Sequence, residues 1–187
     1  MEILGGLAKG MTLRVPAGRE VRPTSVRSRR ALFDMLGDLS GRCFCDFFAG
    51  SGAVGIEAAS RGAGLVLLVE KSPRALASIR NNVKEVRNFC PETVFQIVPG
   101  TLPECLRKLA ASAPRPDLIF ADPPYADSAD MLDAVLKDPD FSGWAESAEI
   151  LWELPDYRSP LKIFPSNWHL KAIRELGASR FLMIEKG

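Results

Sequence analysis

The 187-residue chain is expected to form an α/β fold, with a mixed, mostly parallel seven-stranded sheet, helices on both faces and a small N-terminal hairpin. Three observations predict this. Short apolar runs alternate with segments of helical period through the middle of the chain, which calls for parallel strands joined by crossover helices. A glycine-rich turn, Gly50-Ser51-Gly52-Ala53-Val54-Gly55, joins the first apolar run to a helical segment. Near the C-terminus only Glu175-Leu176-Gly177-Ala178 separates two strand-like runs. A link so short demands a hairpin, so one strand must lie antiparallel.

The elements follow in order. Residues 1–20 place Gly5-Gly6 and Gly10 between short apolar pieces, as in a hairpin or ribbon. Thr24 or Ser25 can cap a helix running to about Leu36. Strands and helices then alternate: strand 42–48, helix 53–61, strand 65–70, helix 73–87, strand 93–98, helix 102–111, strand 117–122 and helix 129–137. Ile150-Leu151-Trp152-Glu153-Leu154 reads as a fifth strand, and 168–174 and 179–186 as the last two. The expected division is a basic N-terminal extension, 1–21, and one main domain, 22–187.

Composition is that of an ordinary globular protein, 47% hydrophobic and 25% charged. No apolar run approaches the ~18 residues of a membrane span, and no basic-then-apolar leader is visible. A cytoplasmic protein without membrane association is expected. Cys43, Cys45, Cys90 and Cys105 have no metal-ligand spacing, and the Cys43/Cys45 pair falls on one face of a strand as core filling. The single histidine, His169, lies far from the candidate site residues. Metal and Ser-His mechanisms therefore have no support, and no metal site is expected.

Two constellations carry chemistry. In the first, the strand Cys43–Phe48 runs into Ala49-Gly50-Ser51-Gly52, and Gly50, Gly52 and Gly55 match a nucleotide-binding fingerprint. The next strand ends in Glu70, placed to hold ribose hydroxyls. Both NAD and S-adenosylmethionine carry that ribose. Asp46 distinguishes them, because a carboxylate beside the loop repels a pyrophosphate and attracts the ammonium of a methionine moiety. At about 4 Å and an effective dielectric near 20 this is roughly 4 kcal/mol of either sign before desolvation. A buried network at the strand end is the plainer role for Asp46.

The second constellation is Asp122-Pro123-Pro124-Tyr125, after the apolar run Leu118-Ile119-Phe120-Ala121. It suits a planar ring with an exocyclic amino group. The lone pair of such a nitrogen is delocalised into the ring. Two acceptors on its N–H bonds draw it toward a tetrahedral shape. The Asp122 carboxylate can be one acceptor and the Pro123 carbonyl the other. The prolines fix φ near −65° and carry no competing N–H. Tyr125 offers a face for stacking, worth roughly 1–3 kcal/mol. Taken alone, the tetrapeptide is equally an ordinary turn.

Together these motifs resemble class I methyltransferases of amino nitrogens, and more narrowly the bacterial 16S rRNA guanine-N2 methyltransferase family. Ile3-Leu4-Gly5-Gly6 with Gly10 and Leu13, then Arg22-Pro23-Thr24 with Arg27, Arg29 and Leu32-Phe33, carry that resemblance. So do Asp46–Gly52 and Pro165-Ser166-Asn167-Trp168. It covers essentially the whole chain. It implies a Rossmann-like fold, S-adenosyl-L-methionine as cofactor and N2 of a guanine in the small-subunit head as target. The chain departs from the family pattern at Glu2, Val26 and Arg30, and at Gly100, where an acid or amide usually meets the adenine. Thr101 or a backbone carbonyl would then take that contact.

Charge is uneven. Lys9 to Arg30 holds seven basic residues against Glu20, a net +6, while the other 165 residues sum to −5. A basic arm on a mildly acidic body suggests phosphate docking, although such runs often only solvate a helix face. Arg27 and Arg30 share a helical face by their i, i+3 spacing. The expected site is therefore Asp122, Pro123 and Tyr125 for the flipped base. Asp46, Ala49, Gly50, Ser51, Gly52, Glu70 and Thr101 would hold the cofactor. Lys9, Arg14, Arg22, Arg27 and Arg30 would bind RNA. The expected partner is 16S rRNA, the small subunit or an assembly intermediate, engaged by a monomer. Rival readings are a DNA adenine or cytosine amino methyltransferase, for which a target-recognition region has no obvious room, and a glutamine-modifying protein methyltransferase, which leaves the basic arm unexplained. From other classes, an NAD oxidoreductase leaves Asp46 and Asp122–Tyr125 unexplained, and a non-catalytic assembly factor has no need of Asp122 and Tyr125.

Overall fold

The computed structural model describes residues 1–16, 26–123, 128–154, 164–176 and 179–187. Helix α1 is Val26–Leu36. Strand β1 (Cys43–Phe47), helix α2 (Ala53–Ser60), strand β2 (Leu65–Glu70) and helix α3 (Pro73–Val86) follow. Then come β3 (Val94–Pro99), α4 (Leu106–Ser112), β4 (Leu118–Ala121), α5 (Ser128–Lys137) and α6 (Pro139–Trp144). The chain ends with β5 (Glu149–Leu154), β6 (Trp168–Leu176) and β7 (Ser179–Lys186). The seven strands form one sheet in the order β3-β2-β1-β4-β5-β7-β6. Strands β1 to β5 are parallel, and β7 runs antiparallel to both β5 and β6. This mixed seven-stranded sheet with helices on both faces is the Rossmann-like class I methyltransferase fold.

Strand periodicity divides the core in two. Phe44, Val66, Leu68, Phe120, Leu151 and Phe181 face one side, with Leu32 and Phe33 of α1, Ile56 of α2 and Ile79 of α3. Cys45, Leu67, Ile119, Trp152 and Leu182 face the other, with residues of α4, α5 and α6. Successive side chains point to opposite faces, so a strand buried on both faces reads as a continuous apolar run. All four cysteines are buried and free. Burial pushes the Cys43 thiol up to about 11, so these cysteines fill core space rather than react. Among the described residues no helix is long and apolar enough to cross a membrane.

The N-terminal hairpin is short, closed by one antiparallel bridge, Glu2 to Thr12, with the Ile3 amide donating to Met11 O and the Leu13 amide to Met1 O. Its apolar residues Ile3, Ala8 and Leu13 join the core on the α1–α3 face. The helix expected from 102 starts at Leu106, because Pro103 carries no N–H and disfavours a helical residue before it. Helix α6 was not foreseen. Its start is nevertheless legible, since the Asp138 carboxylate accepts from the Phe141 amide at 2.8 Å and Pro139 follows the cap. The caps proposed at Thr24 and Ser25 lie outside the described residues.

The parallel order places the functional edge. The order in which strands are added reverses between β1 and β4, so their carboxyl ends flank the edge where open α/β sheets bind ligands. Closure of α2 over β1 and β2 depends on Gly55. A Cβ there would stand 2.5 Å from Leu68 Cδ2 and 3.0 Å from Val66 Cγ1. Gly55→Ala should therefore destabilise the fold by about 1–3 kcal/mol. Urea denaturation should show a lowered midpoint with an unchanged slope, and an unchanged midpoint would show that α2 can lift at no cost.

Candidate active site

The site is built on the ends of β1, β2 and β4. Phe47 pairs with Ala121 in the β1–β4 register. Phe48 and Asp122 are therefore the first residues beyond two adjacent strands. Asp46, the last acid of β1, is only 2% exposed. Its Oδ2 accepts the Gly55 amide of α2 at 2.9 Å. Burial pushes the Asp46 carboxyl up to about 8, opposed by the Gly55 bond and reinforced by the nearby Asp122 and Glu70 charges. Three carboxyl groups from three strand ends thus share one electrostatic environment. Among the described residues they gather no set of groups able to hold a metal ion.

The glycine loop is shaped by its own backbone. Gly50 has φ of 57° and Gly52 has φ of 79°, left-handed conformations that glycine adopts without steric cost. The Ala49 amide donates to Val69 O and the Gly52 amide to Ala49 O. The Gly50 amide donates to Glu70 Oε2 at 2.8 Å. The amides of Ala49, Gly50 and Gly52 are therefore spent on forming the loop, and what these residues supply is a tight turn. Glu70 Oε1 accepts the Ser72 amide at 2.8 Å. The carboxylate thus spans the glycine loop and the start of α3, and each oxygen keeps a lone pair for a hydroxyl.

Gly100 follows β3, and its amide donates to Glu70 O. A Cβ at Gly100 would lie 2.5 Å from Cys105 Cβ. This explains the departure at this position, since the packed Cys105 leaves no room for an acid or amide. Thr101 beside it is exposed, and its carbonyl already accepts the Cys105 amide at 2.9 Å.

At the base side, Asp122 is half-buried and Pro123 buried. Pro124 and Tyr125 lie outside the described residues. The chain re-enters at Ser128, which is fixed in place. Its hydroxyl donates to Glu153 O at 2.8 Å and accepts the Trp152 indole N–H at 3.0 Å. Trp152 also meets the Phe48 ring edge-on at 5.9 Å. The strand expected over 42–48 would include Phe48. Instead Phe48 has φ of 63°, the one left-handed non-glycine among the described residues. For a bulky side chain this costs roughly 1–3 kcal/mol and marks functional sites. Nothing in the sequence signals it.

The RNA-binding expectations separate in space. Lys9 and Arg14 are exposed, as are Arg27 and Arg30 on α1, whereas Arg22 lies outside the described residues. Lys9 sits in the loop docked on the C-terminal end of α2, where Leu7 N donates to Ser60 O and the Ala8 amide to Ser60 Oγ. Eight helical residues, about 12 Å, separate that end from the glycine loop. Arg14 lies against α3, its amide donating to Asn82 Oδ1 at 2.8 Å. Arg29, counted with the basic arm, is fully buried, and its Nη2 donates to Glu2 O at 2.6 Å. Burial lowers its pKa, and it is withdrawn from any phosphate surface. Trp168, from the C-terminal motif, is structural too. It donates to Leu136 O at 3.0 Å and stacks on Phe141.

Asp46 generates a pH signature. Its folded pKa lies above its unfolded one, so the native state holds the extra proton between about 4 and about 8. Its contribution to stability is full below that window and lost as pH rises through it. The melting temperature of the free protein should fall across this range, and Asp46→Asn should flatten the fall. An equal slope in both proteins would show that Asp46 ionises as readily folded as unfolded.

Known proteins share this architecture. Solved structures similar to the chain include hypothetical protein TTHA0928 of Thermus thermophilus, at TM-score 0.74 and 34% identity, with 99% of each chain covered. Another is yhhF of Escherichia coli, described as a candidate methyltransferase, at TM-score 0.76 and 25% identity over 100% of this chain and 97% of that one. YlbH of Bacillus subtilis, named as a candidate rRNA methyltransferase, is 33% identical over 131 residues, 68% of each protein. Ribosomal RNA small subunit methyltransferase D of Escherichia coli K12 is 31% identical over 126 residues, 67% of this chain and 60% of that protein. The family model described as conserved hypothetical protein 95 matches residues 1–185, and the chain belongs to that family.

Proposed function

We propose that the protein transfers a methyl group from S-adenosylmethionine to N2 of a guanine in 16S rRNA. The observation that carries this reading is the convergence of Asp46, Glu70 and Asp122 at the β1–β4 switch point. That cleft repels a pyrophosphate. It complements a ligand with two cationic centres, an ammonium and a sulfonium. The relatives named as rRNA methyltransferases support the choice of RNA over DNA or protein. A protein with this activity works in the cytoplasm, as a monomer, on 16S rRNA within the small subunit or a precursor of it.

The residues fit the cofactor. The buried Asp46 carboxyl is pushed up to about 8, and an ammonium beside it would supply the positive charge that favours its ionised form. Glu70 has lone pairs to spare for ribose hydroxyls. When bound, the cofactor supplies a methyl group already activated on a sulfonium. The chain has then to position and polarise the nucleophile, whose nitrogen gives up one proton as it gains the methyl, with the Asp122 carboxylate as the acceptor for that proton. Asp122 accepts one N–H of the guanine amino group, and the Pro123 carbonyl accepts the other. Tyr125 stacks on the flipped ring. Alignment of nitrogen and methyl supplies several kcal/mol of the barrier reduction. Extruding the base costs a few kcal/mol, offset by backbone contacts from Arg14, Arg22, Arg27 and Arg30. Lys9, at the far end of α2, reaches a separate part of the RNA.

Nucleoside mass spectrometry of rRNA from cells with and without the gene tests the reaction directly. Loss of one N2-methylguanosine supports it, and unchanged rRNA overturns it. Asp122→Ala should lower the methylation rate roughly 10²–10⁴-fold while calorimetry still detects S-adenosylhomocysteine. Tyr125→Ala should slow turnover as well. Parental rates in both variants would remove these residues from the base site.

Arg27 and Arg30 generate a salt-dependence test. Replacing both with alanine should weaken rRNA binding and flatten its log–log salt dependence by up to about 0.7–0.9 per lost phosphate contact. Cofactor affinity should hold. An unchanged slope would assign docking to another surface.

A further inference from the structure

Asn82 takes no part in the chemistry above, yet it is the most constrained polar side chain near the cofactor loop. It is fully buried on the inner face of α3, among Leu76, Ile79, Val83 and Val86. A buried amide there costs free energy unless its bonds are made, and asparagine is a poor helix former. Its side-chain bonds are directed at two other segments. Oδ1 accepts the Arg14 amide at 2.8 Å. Nδ2 donates to Arg14 O at 2.9 Å and to Ser51 O at 2.9 Å.

One amide therefore holds the backbone of the basic arm and the carbonyl of the cofactor loop together. Nδ2 has two hydrogens, and each carbonyl takes one. Neither segment can shift without leaving a buried donor unsatisfied. The Arg14 side chain adds only an exposed pair to Glu85 at 3.3 Å. Exposed pairs of this kind are weak, so the backbone bonds to Asn82 set where the arm leaves the body. Gly52, next to Ser51, packs on Ile56 and Ile79, which brings α2, α3 and the loop into one contact.

We propose that Asn82 is a positioning residue that ties the basic arm to the cofactor loop, so that filling the cofactor site seats the arm and RNA binding tightens the cofactor. This rests on the methyltransferase reading. The seated and unseated arm are the two states, and both ligands favour the seated one. Coupling of this kind is reciprocal.

Hydrogen exchange on the full chain with S-adenosylhomocysteine tests it, because the Arg14 amide is itself one of the three bonds. In the parent, the ligand should slow exchange of the 13–15 amides. In Asn82→Ala it should still bind but no longer slow them, while amides of β1 and β4 remain protected. Should Asn82→Ala fail to fold, Arg14→Pro deletes the arm's donor, with Arg14→Ala as the control for loss of the side chain. Arg14→Pro should weaken S-adenosylhomocysteine binding more than Arg14→Ala does, by roughly fivefold or more. In the parent, S-adenosylhomocysteine should tighten binding to 16S rRNA by a similar factor. A ligand that binds the parent without slowing the Arg14 amide, or that slows it equally in Asn82→Ala, overturns the coupling. So do equal affinities in the two Arg14 variants, since a purely structural Asn82 lowers stability without linking the sites. A parent that binds no S-adenosylhomocysteine overturns the methyltransferase reading itself.

Discussion

The hydrogen bond from the Gly55 amide to the buried Asp46 carboxylate is the contact on which the functional edge depends. It exists because Gly55 has no side chain. Helix α2 can therefore lie against Leu68 and Val66 closely enough for its first-turn amide to reach β1. That approach fixes where the glycine loop turns, and the loop fixes Gly50 against Glu70 at 2.8 Å. Glu70 in turn holds Ser72, which caps α3. One close helix–strand contact thus sets the geometry of β1, the loop, β2 and α3.

The same bond explains the electrostatics of the cleft. A single neutral amide offsets only part of the cost of burying a carboxylate, and desolvation is the largest influence on Asp46. Burial therefore raises the Asp46 pKa, in the direction that lessens the negative charge gathered beside Asp122 and Glu70. A cationic ligand reverses the balance. The surface pairs have no such leverage. Arg115 and Glu146 meet at 2.9 Å with both side chains more than half exposed, a pair worth about 0–1 kcal/mol. Glu57 is different. Fully buried, it binds the Leu4 amide at 2.7 Å and Arg61 at 3.0 Å, and so holds the N-terminal loop to α2.

Much of this was legible because a strand buried on both faces leaves a continuous apolar run, and a crossover helix leaves a 3.6-residue period. Both the alternation from 42 to 137 and the antiparallel β6–β7 pair follow from those patterns. The acids at strand ends were legible for the same reason, since β1, β2 and β4 each run into an acid near their carboxyl end. What could not be read was set by tertiary contact. No local rule puts Phe48 in a left-handed conformation, because Trp152 and the turn above it hold it there. Nor does any local rule distinguish Arg29 from Arg27 and Arg30. The three are neighbours in sequence, but the helix turns Arg29 inward under Glu2. Asn82 looked like an ordinary helix residue, since both of its partners are distant in sequence.

The N-terminal residues serve two ends of one helix, and this organises the substrate side. Gly6 sits where a Cβ would strike Ser60 O, so Ile3-Leu4-Gly5-Gly6 is a docking element for the C-terminus of α2. From there the chain climbs the length of α2 and arrives at Arg14 beside the cofactor loop. The glycines and buried apolar residues of this stretch hold the body, and only the exposed cations are left for phosphate. Withdrawal of Arg29 into the core lowers the charge available for docking. It also anchors α1 against residue 2, and so fixes the face that carries Arg27 and Arg30. The described part of this stretch, residues 1–16, is therefore tied to α2 at Ser60 and to α3 at Asn82. On the proposed reading those two ties decide where the exposed Lys9 and Arg14 stand, and a ligand that favours the tied state strengthens them.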